Sequence, residues 1–305
     1  MHKPLVIYHG HCDDGFTAAW ALRHALGDDA CDFHLGIYQE APPDVLGRDV
    51  IMVDFSYKRP VIEEMARTAH SILVIDHHKT AEEDLQAFPS MPTLTVQGWL
   101  ARQAVHRKHP PDSFPRIAAF FDMKRSGAML AWSLSHSADE PPAFVYYVQD
   151  RDLWRKALPN GDEFTIWVRS FPMTFPVWDS AVAHFETNPE AVFAEGRGIQ
   201  RYYRQQVEAS KREAYEATFC PGTTTFLIAN APYAFASEVA GELAVGPGYA
   251  FGACYFERAD GKFQYSLRSR GDFDVSEIAL AYGGGGHKNS AGFASDRIAH
   301  LRARV

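Results

Sequence analysis

Metal-type ligands gather at four places in the first half of this chain. The apolar run PLVIYH (4–9) ends in His9, and Cys12, Asp13 and Asp14 follow closely. VIMVDF (50–55) carries Asp54 near its end. SILVID (71–76) ends in Asp76, with His77 and His78 directly behind it. A fourth cluster, Gln149-Asp150-Arg151-Asp152, follows an apolar helical stretch. Carboxylates and imidazoles together suit Mn²⁺ or a similar divalent ion. Acids held close together raise one another's proton affinity, and a bound cation removes that penalty. Two such ions about 3.5–4 Å apart can activate a water and clamp a phosphoryl group. The inventory therefore points to metal-assisted hydrolysis at phosphorus. An Asp at a strand end is about as often a helix N-cap, and adjacent surface histidines usually do nothing. Four ligand-rich ends in one domain are harder to dismiss in that way.

A parallel sheet would bring these residues together. The runs 4–9, 33–39, 50–55 and 71–76 read as strands, and 15–26 and 60–70 have helical spacing. Asp13 or Asp14 is the expected N-cap of the first helix. Strand–helix alternation implies parallel strands with crossover helices. The carboxyl ends of such strands open onto one edge, where ligands bind. Farther on, 99–109, 126–136 and 141–155 read as helices, with Ser126 near a start. The polar, helix-favouring stretch 189–217 reads as a linker. Beyond it, 223–230, 249–257 and 262–269 are strand candidates and 237–244 and 275–283 helix candidates. The expected fold class is α/β, with an N-terminal parallel-sheet domain over 1–185, a linker helix over 186–217 and a smaller C-terminal α/β domain over 218–305.

Composition excludes several classes. Of 305 residues, 46% are hydrophobic and 22% charged, as in a folded globular chain. Lys plus Arg is 30 against 38 Asp plus Glu, a net charge of −8, so bulk charge does not coat nucleic acid. No apolar run is long enough to span a membrane, and MHKPLVIYHG lacks the pattern of a signal peptide. Cys12, Cys31, Cys220 and Cys254 have no zinc spacing and read as cytoplasmic thiols.

The string Val74-Ile75-Asp76-His77-His78-Lys79-Thr80 resembles the signature of the DHH phosphoesterase superfamily. That superfamily includes single-strand exonucleases, nanoRNases, cyclic-dinucleotide phosphodiesterases and family II inorganic pyrophosphatases. His9-Gly10-His11-Cys12-Asp13-Asp14-Gly15 resembles its first motif, Asp54 its second and Asp150-Arg151-Asp152 its fourth. Gly283-Gly284-Gly285-Gly286-His287-Lys288-Asn289-Ser290-Ala291-Gly292-Phe293 resembles the glycine–histidine motif of the DHH-associated domain. The resemblance implies two domains with the active site in the cleft between them, and two Mn²⁺ ions on the first, with Mg²⁺ or Co²⁺ as substitutes. His9 and Asp14 would be ligands, Asp54 would bridge both ions and His77 would bind one. Asp150 or Asp152 would complete the shell. Asp76 and His78 would act beside the ligands, on them or on substrate. Aligned on Asp14-Gly15, the better match, the chain has Cys12 where the first motif has its earlier acid; aligned on His9 instead, that acid is Asp13 and the second becomes Gly15. Either the Cys12 thiol, a soft ligand, joins the site, or it packs nearby while Asp13 supplies the oxygen.

In the C-terminal half, the backbone at Gly284, Gly285 and Gly286 would approach a bound anion. His287 would donate to a phosphate oxygen. Arg268 and Arg270, two apart, would share one face of a strand. The plainer reading is a flexible glycine loop and a solvated arginine pair. Most aromatics belong to the core, although Tyr202-Tyr203 or Trp154 could stack on a base. The expected function is a Mn²⁺-dependent phosphoesterase cleaving short oligonucleotides or small signalling nucleotides. Alternatives are a nucleotide phosphomonoesterase of the 3′-phosphoadenosine 5′-phosphate type and a nucleotide-binding protein without hydrolysis. Neither long duplex nucleic acid nor a membrane is an expected partner, and oligomerisation is left open.

Overall fold

The structure, a computed structural model, describes residues 3–303 apart from 39, 92, 109–113, 137–138, 220–221, 223 and 247, and apart from the side chain of His287. Cys220 therefore lies outside the described residues. The chain divides into two compact units, 1–197 and 198–305. The first contains β1 (Leu5–His9), α1 (Asp13–Leu26), β2 (Asp32–Gly36), β3 (Asp49–Val53), α2 (Arg59–Met65), β4 (Ser71–Asp76) and α3 (Lys79–Leu85). It continues through α4 (Val96–Lys108), β5 (Ile117–Phe121), α5 (Gly127–Ser135), α6 (Ala143–Asp152), α7 (Gly161–Val168), α8 (Phe175–Thr187) and the start of α9 (Pro189–Arg212).

Its five strands are all parallel, in the order β2-β1-β3-β4-β5. They are near-continuous apolar runs because both faces are covered. Leu5, Ile7, Val50, Met52, Ile72 and Val74 pack into one core cluster. Their neighbours Val6, Ile51, Leu73 and Ile75 alternate to the other face and are equally buried. There the buried α1 residues Ala18, Ala19 and Ala21 are small, which suits close packing of α1 on α5. In this strand order the connections leave β1 and β3 in opposite directions. The resulting crevice at their carboxyl ends is where open α/β sheets bind ligands. His9 ends β1 and Asp54 follows β3.

Helix entry differs from expectation at α1. Its N-cap is Cys12, which makes no side-chain capping bond, and Asp13 and Asp14 lie in the first turn. The Asp14 carboxylate is committed to the start of α5. At α5 the expected cap is present: Ser126 accepts from Met129 N–H at 3.4 Å. β5, α3, α7 and α8 were not anticipated.

The second unit holds β6 (Tyr215–Phe219), β7 (Thr225–Asn230), α10 (Tyr233–Leu243), β8 (Phe251–Glu257) and β9 (Phe263–Ser269). It ends in α11 (Val275–Ala281), β10 (Gly285–His287), β11 (Ser290–Ser295) and β12 (His300–Arg302). Its mixed sheet runs β10-β11-β9-β8-β7-β6-β12, with β7 and β8 parallel. Phe226, Phe251, Tyr265 and Phe293 form the centre of its core.

Candidate metal centre

Six side chains converge at the carboxyl edge of the parallel sheet. His77 Nε2, just past β4, donates to Asp54 Oδ1 at 3.0 Å and lies 3.5 Å from Asp152 Oδ2 and 3.8 Å from Asp14 Oδ2. The other Asp54 oxygen stands 3.4 Å from His9 Nδ1. Ligand atoms of His9, Cys12 and Asp54 lie within 4.8 Å of one another, as do those of Asp14, His77 and Asp152. The two oxygens of Asp54 thus face the two groups. Asp54 holds left-handed backbone, φ 54°, at the strand exit. Such strain persists only where the surroundings over-determine it, and it clusters at functional sites.

The acids are held by backbone as well as by histidines. Asp14, buried in α1, accepts from Gly127 N–H at 2.6 Å and Ala128 N–H at 3.0 Å. These are unpaired donors of the first turn of α5, where negative charge is favoured. A Cβ on Gly127 would come within 2.4 Å of Asp54 Cβ and 2.9 Å of Asp14 Oδ2, so only glycine fits this contact. Asp76, fully buried, accepts from the backbone N–H of His77 at 2.7 Å and from His78 Nδ1 at 2.7 Å. Atoms of Asp54, Asp76, His77 and His78 also lie within 4.8 Å of one another.

The remaining anticipated residues separate. Asp152 joins the cluster, whereas Asp150 turns both oxygens to the next loop, accepting from Ala157 N–H at 2.9 Å and Leu158 N–H at 3.4 Å. Asp13 is also directed elsewhere: it accepts from Arg169 Nε at 2.5 Å. The thiol beside His9 and Asp54 is that of Cys12. Arg169 had no signal in the sequence, being far away on the chain. Tyr38, past the end of β2 with its ring 5.3 Å from that of His9, was also missed. Its place at the carboxyl end of a strand beside β1 was the available clue.

Protonation follows from crowding. Burial, then the charges of Asp54 and Asp152, hold the Asp14 carboxyl well above the usual range. Burial and then Asp54 push Asp152 up to about 6. Burial would raise Asp54 too, but the hydrogen bond from His77 and the contact with His9 outweigh it and hold that carboxyl low. For His77 burial opposes protonation, yet the Asp54 hydrogen bond and the nearby acids raise it to about 9. Burial, then Asp54 and Asp14, push the Cys12 thiol up.

These residues fit divalent cations. His9 Nδ1, Asp54 Oδ2 and Asp76 Oδ2 are buried without a hydrogen-bond partner. An unpaired buried acceptor is costly, and a cation between the imidazole and the carboxylates satisfies such atoms while relieving the repulsion. The donor set is five hard or borderline ligands, His9, Asp14, Asp54, His77 and Asp152, with one soft one, Cys12.

In the second unit, Arg268 on β9 donates to Leu267 O at 2.8 Å and to Ser237 Oγ at 2.9 Å, and burial lowers its proton affinity. β9 closes at Ser269, so Arg270 stands exposed beyond the strand and does not share the alternation of Arg268. The glycine motif is a β10–β11 hairpin, with Gly285 paired to Gly292 and His287 to Ser290. Gly284 and Gly286 have structural reasons for lacking a side chain: a Cβ would meet Gly292 O at 2.2 Å and Ala291 Cα at 2.5 Å respectively. Gly285 alone of these three faces open space. The His287 side chain lies outside the described residues.

Residues 228–304 match the DHHA1 domain family. The chain is 25% identical over 313 residues to an uncharacterized protein of Acanthamoeba polyphaga mimivirus, covering 96% of this chain and 68% of that one. RecJ of Thermus thermophilus, solved in complex with Mn²⁺, is similar with a TM-score of 0.50 and 17% identity, over 96% of this chain and 50% of that chain. A solved DHH domain, described as a member of a family of ribosomal proteins, has a TM-score of 0.53 and 13% identity, over 95% and 82%. At these identities the likeness to the solved structures carries the fold.

Proposed function

From the DHHA1 match over residues 228–304 and the likeness of fold to solved DHH proteins, we propose that the chain is a DHH-superfamily, Mn²⁺-dependent phosphoesterase. Its substrates are phosphodiesters in short oligonucleotides or small signalling nucleotides. The observation that carries this reading is the buried, unpartnered pair His9 Nδ1 and Asp54 Oδ2 at the centre of the converging acids. His9, Cys12 and Asp54 would hold one ion, and Asp14, Asp54, His77 and Asp152 the other. Bound cations supply Lewis acidity and charge neutralisation at a phosphoryl group. The protein's own part is orientation. Asp76 fixes the His78 ring through Nδ1, which leaves Nε2 as the nitrogen that meets a phosphate oxygen. In the second unit, Arg268, the backbone at Gly285 and the His287 side chain would grip phosphate, Arg through a planar fork of donors. The net charge of −8 disfavours a long duplex. A soluble, cytoplasmic setting belongs to the same reading; among the described residues no helix is long and apolar enough to cross a membrane.

The test is a hydrolysis screen with Mn²⁺ over dinucleotides, longer oligomers, cyclic dinucleotides, 3′-phosphoadenosine 5′-phosphate and pyrophosphate, run on wild type and Asp54→Ala. Phosphodiester cleavage should disappear in Asp54→Ala together with metal occupancy while the circular dichroism spectrum is kept. Full activity in the folded variant would sink the assignment. The thiol of Cys12 in place of an acid favours one second reading, a nucleotide-binding protein that does not hydrolyse. Two Mn²⁺ per reconstituted chain supports the enzyme, and none with nucleotide still bound supports the binder.

A further inference from the structure

Five of the six tryptophans, Trp20, Trp99, Trp132, Trp167 and Trp178, are buried, whereas Trp154 is 64% exposed. It lies two residues past Asp152, where α6 ends. Its backbone is left-handed, φ 55°, as is that of Lys156, φ 50°. A bulky residue rarely adopts that region. Exposing an indole and straining its backbone are both unfavourable, and such a combination survives only where the surroundings enforce it.

Here they do. Trp154 N–H donates to Arg151 O at 3.1 Å, and Arg155 N–H donates to Asp150 O at 2.9 Å. The buried Asp150 carboxylate accepts from Ala157 N–H and Leu158 N–H, and the Arg155 guanidinium donates to Lys124 O. This gives Asp150 a positioning role separate from the ligands: it ties down the loop that presents the indole. The guanidinium of Arg151 lies 4.1 Å from the Trp154 ring centroid and Lys156 Nζ 4.9 Å from it. Arg151 also lines the small pocket formed with Cys12, Asp14, Asp152 and Arg169. A largely exposed indole with two cations over its ring, close in sequence to a candidate metal-centre residue, is what a nucleobase joined to phosphate would use. A base would stack on the exposed part of the ring that these cations leave uncovered, and the cations would oppose its phosphate charge. Inorganic polyphosphate would use only the cations.

We infer that Trp154 is the stacking platform for a base of the substrate, and that the site therefore selects nucleobase-bearing phosphates. The inference rests on the phosphoesterase reading for the word substrate, but its test does not need turnover. Calorimetric titration of the full-length, Mn²⁺-treated chain with adenosine 5′-monophosphate and with ribose 5-phosphate compares a ligand with and without the base. Wild type should prefer the nucleotide by about 5- to 150-fold, the range that one stacked base supplies. Trp154→Ala should lose that preference by weakening the nucleotide alone, and Trp154→Phe should keep most of it. Equal weakening of both ligands, unchanged nucleotide binding in Trp154→Ala, or no nucleotide binding by wild type would each overturn the platform. A base preference in a protein that hydrolyses nothing would keep the platform and reject the phosphoesterase.

Discussion

Cys12 stands where the DHH first motif that this stretch resembles holds an acid, and its surroundings give the difference a physical meaning. Burial and the neighbouring Asp54 and Asp14 favour the neutral thiol, so the residue adds no charge to a crowded set of carboxylates. A thiol is also a soft partner for Mn²⁺. The sequence left Cys12 and Asp13 as alternatives. Geometry separates them, because Asp13 is engaged by Arg169, 156 residues away along the chain. No local pattern could have shown a contact of that separation. His9, Asp14, Asp54 and His77, by contrast, were legible because each sits at the end of an apolar run that could only be a buried strand, or one turn into the helix behind it. Cys12→Asp should raise Mn²⁺ affinity at one of two sites by roughly tenfold or more, the size that changes in a ligand environment carry, while Asp13→Asn leaves affinity nearly unchanged. Metal titration of both variants checks this. Identical titrations for Cys12→Asp and wild type would remove the thiol from the site.

At the scale of elements, the centre depends on how closely α5 meets the sheet. Its first N–H groups hold Asp14, and Gly127 permits the approach. The sequence showed this helix through Ser126 and the apolar pattern behind it. It did not show the target of the helix terminus, since N-cap patterns report the helix and not its partner. Helices α7 and α8 escaped notice for a different reason. Prolines and dense aromatics around Pro159, Pro172 and Pro176 resemble turn chemistry locally, yet Pro176 falls in the first turn of α8, where its missing N–H costs nothing. β5 is a short, alanine-containing edge strand, IAAFF, paired only with β4 among the described residues. Gly127→Ala should push the new methyl against Asp54 Cβ. The expected outcome is a loss of about 1–3 kcal/mol, as for other overpacked sites, together with weakened metal binding. Denaturant unfolding and metal titration measure the two effects. Wild-type values for both would show that the helix terminus yields easily and does not position the acids.

For the whole molecule, the polar, helix-favouring stretch over 186–217 and the restart of strand–helix alternation after it are what suggest a second unit over 218–305. The division falls at 197/198, inside the continuous amphipathic helix α9. The two units hold different titrating groups, so their stabilities should respond to different conditions. In the second, His300 is buried between two tyrosines. Tyr265 OH accepts from Ala299 N–H at 3.0 Å and so donates to His300 Nδ1 at 2.9 Å, while Nε2–H donates to Tyr215 OH at 2.7 Å. Protonating Nδ1 would break that order, and burial lowers the imidazole from 6.5 to about 4. As pH falls through 6.5 the unfolded chain takes up a proton that the folded chain refuses until about 4. The stabilisation is therefore complete above 6.5 and lost between those values. At full strength it amounts to about 3 kcal/mol, reduced by solvent screening to roughly 1–3 kcal/mol. Mn²⁺ should act on the other unit, adding about 2.7 kcal/mol when its concentration reaches a hundred times its dissociation constant. Hydrogen exchange read segment by segment should show Mn²⁺ protecting β1, β3 and β4 without changing β6, β9 or β12. Acidification from pH 7 to 4.5 should weaken protection of β6, β9 and β12 in wild type, and much less in His300→Gln. An acid response of equal size in that variant would place the loss elsewhere, and protection of β12 by Mn²⁺ would mean that the ion's stabilisation extends to the second unit.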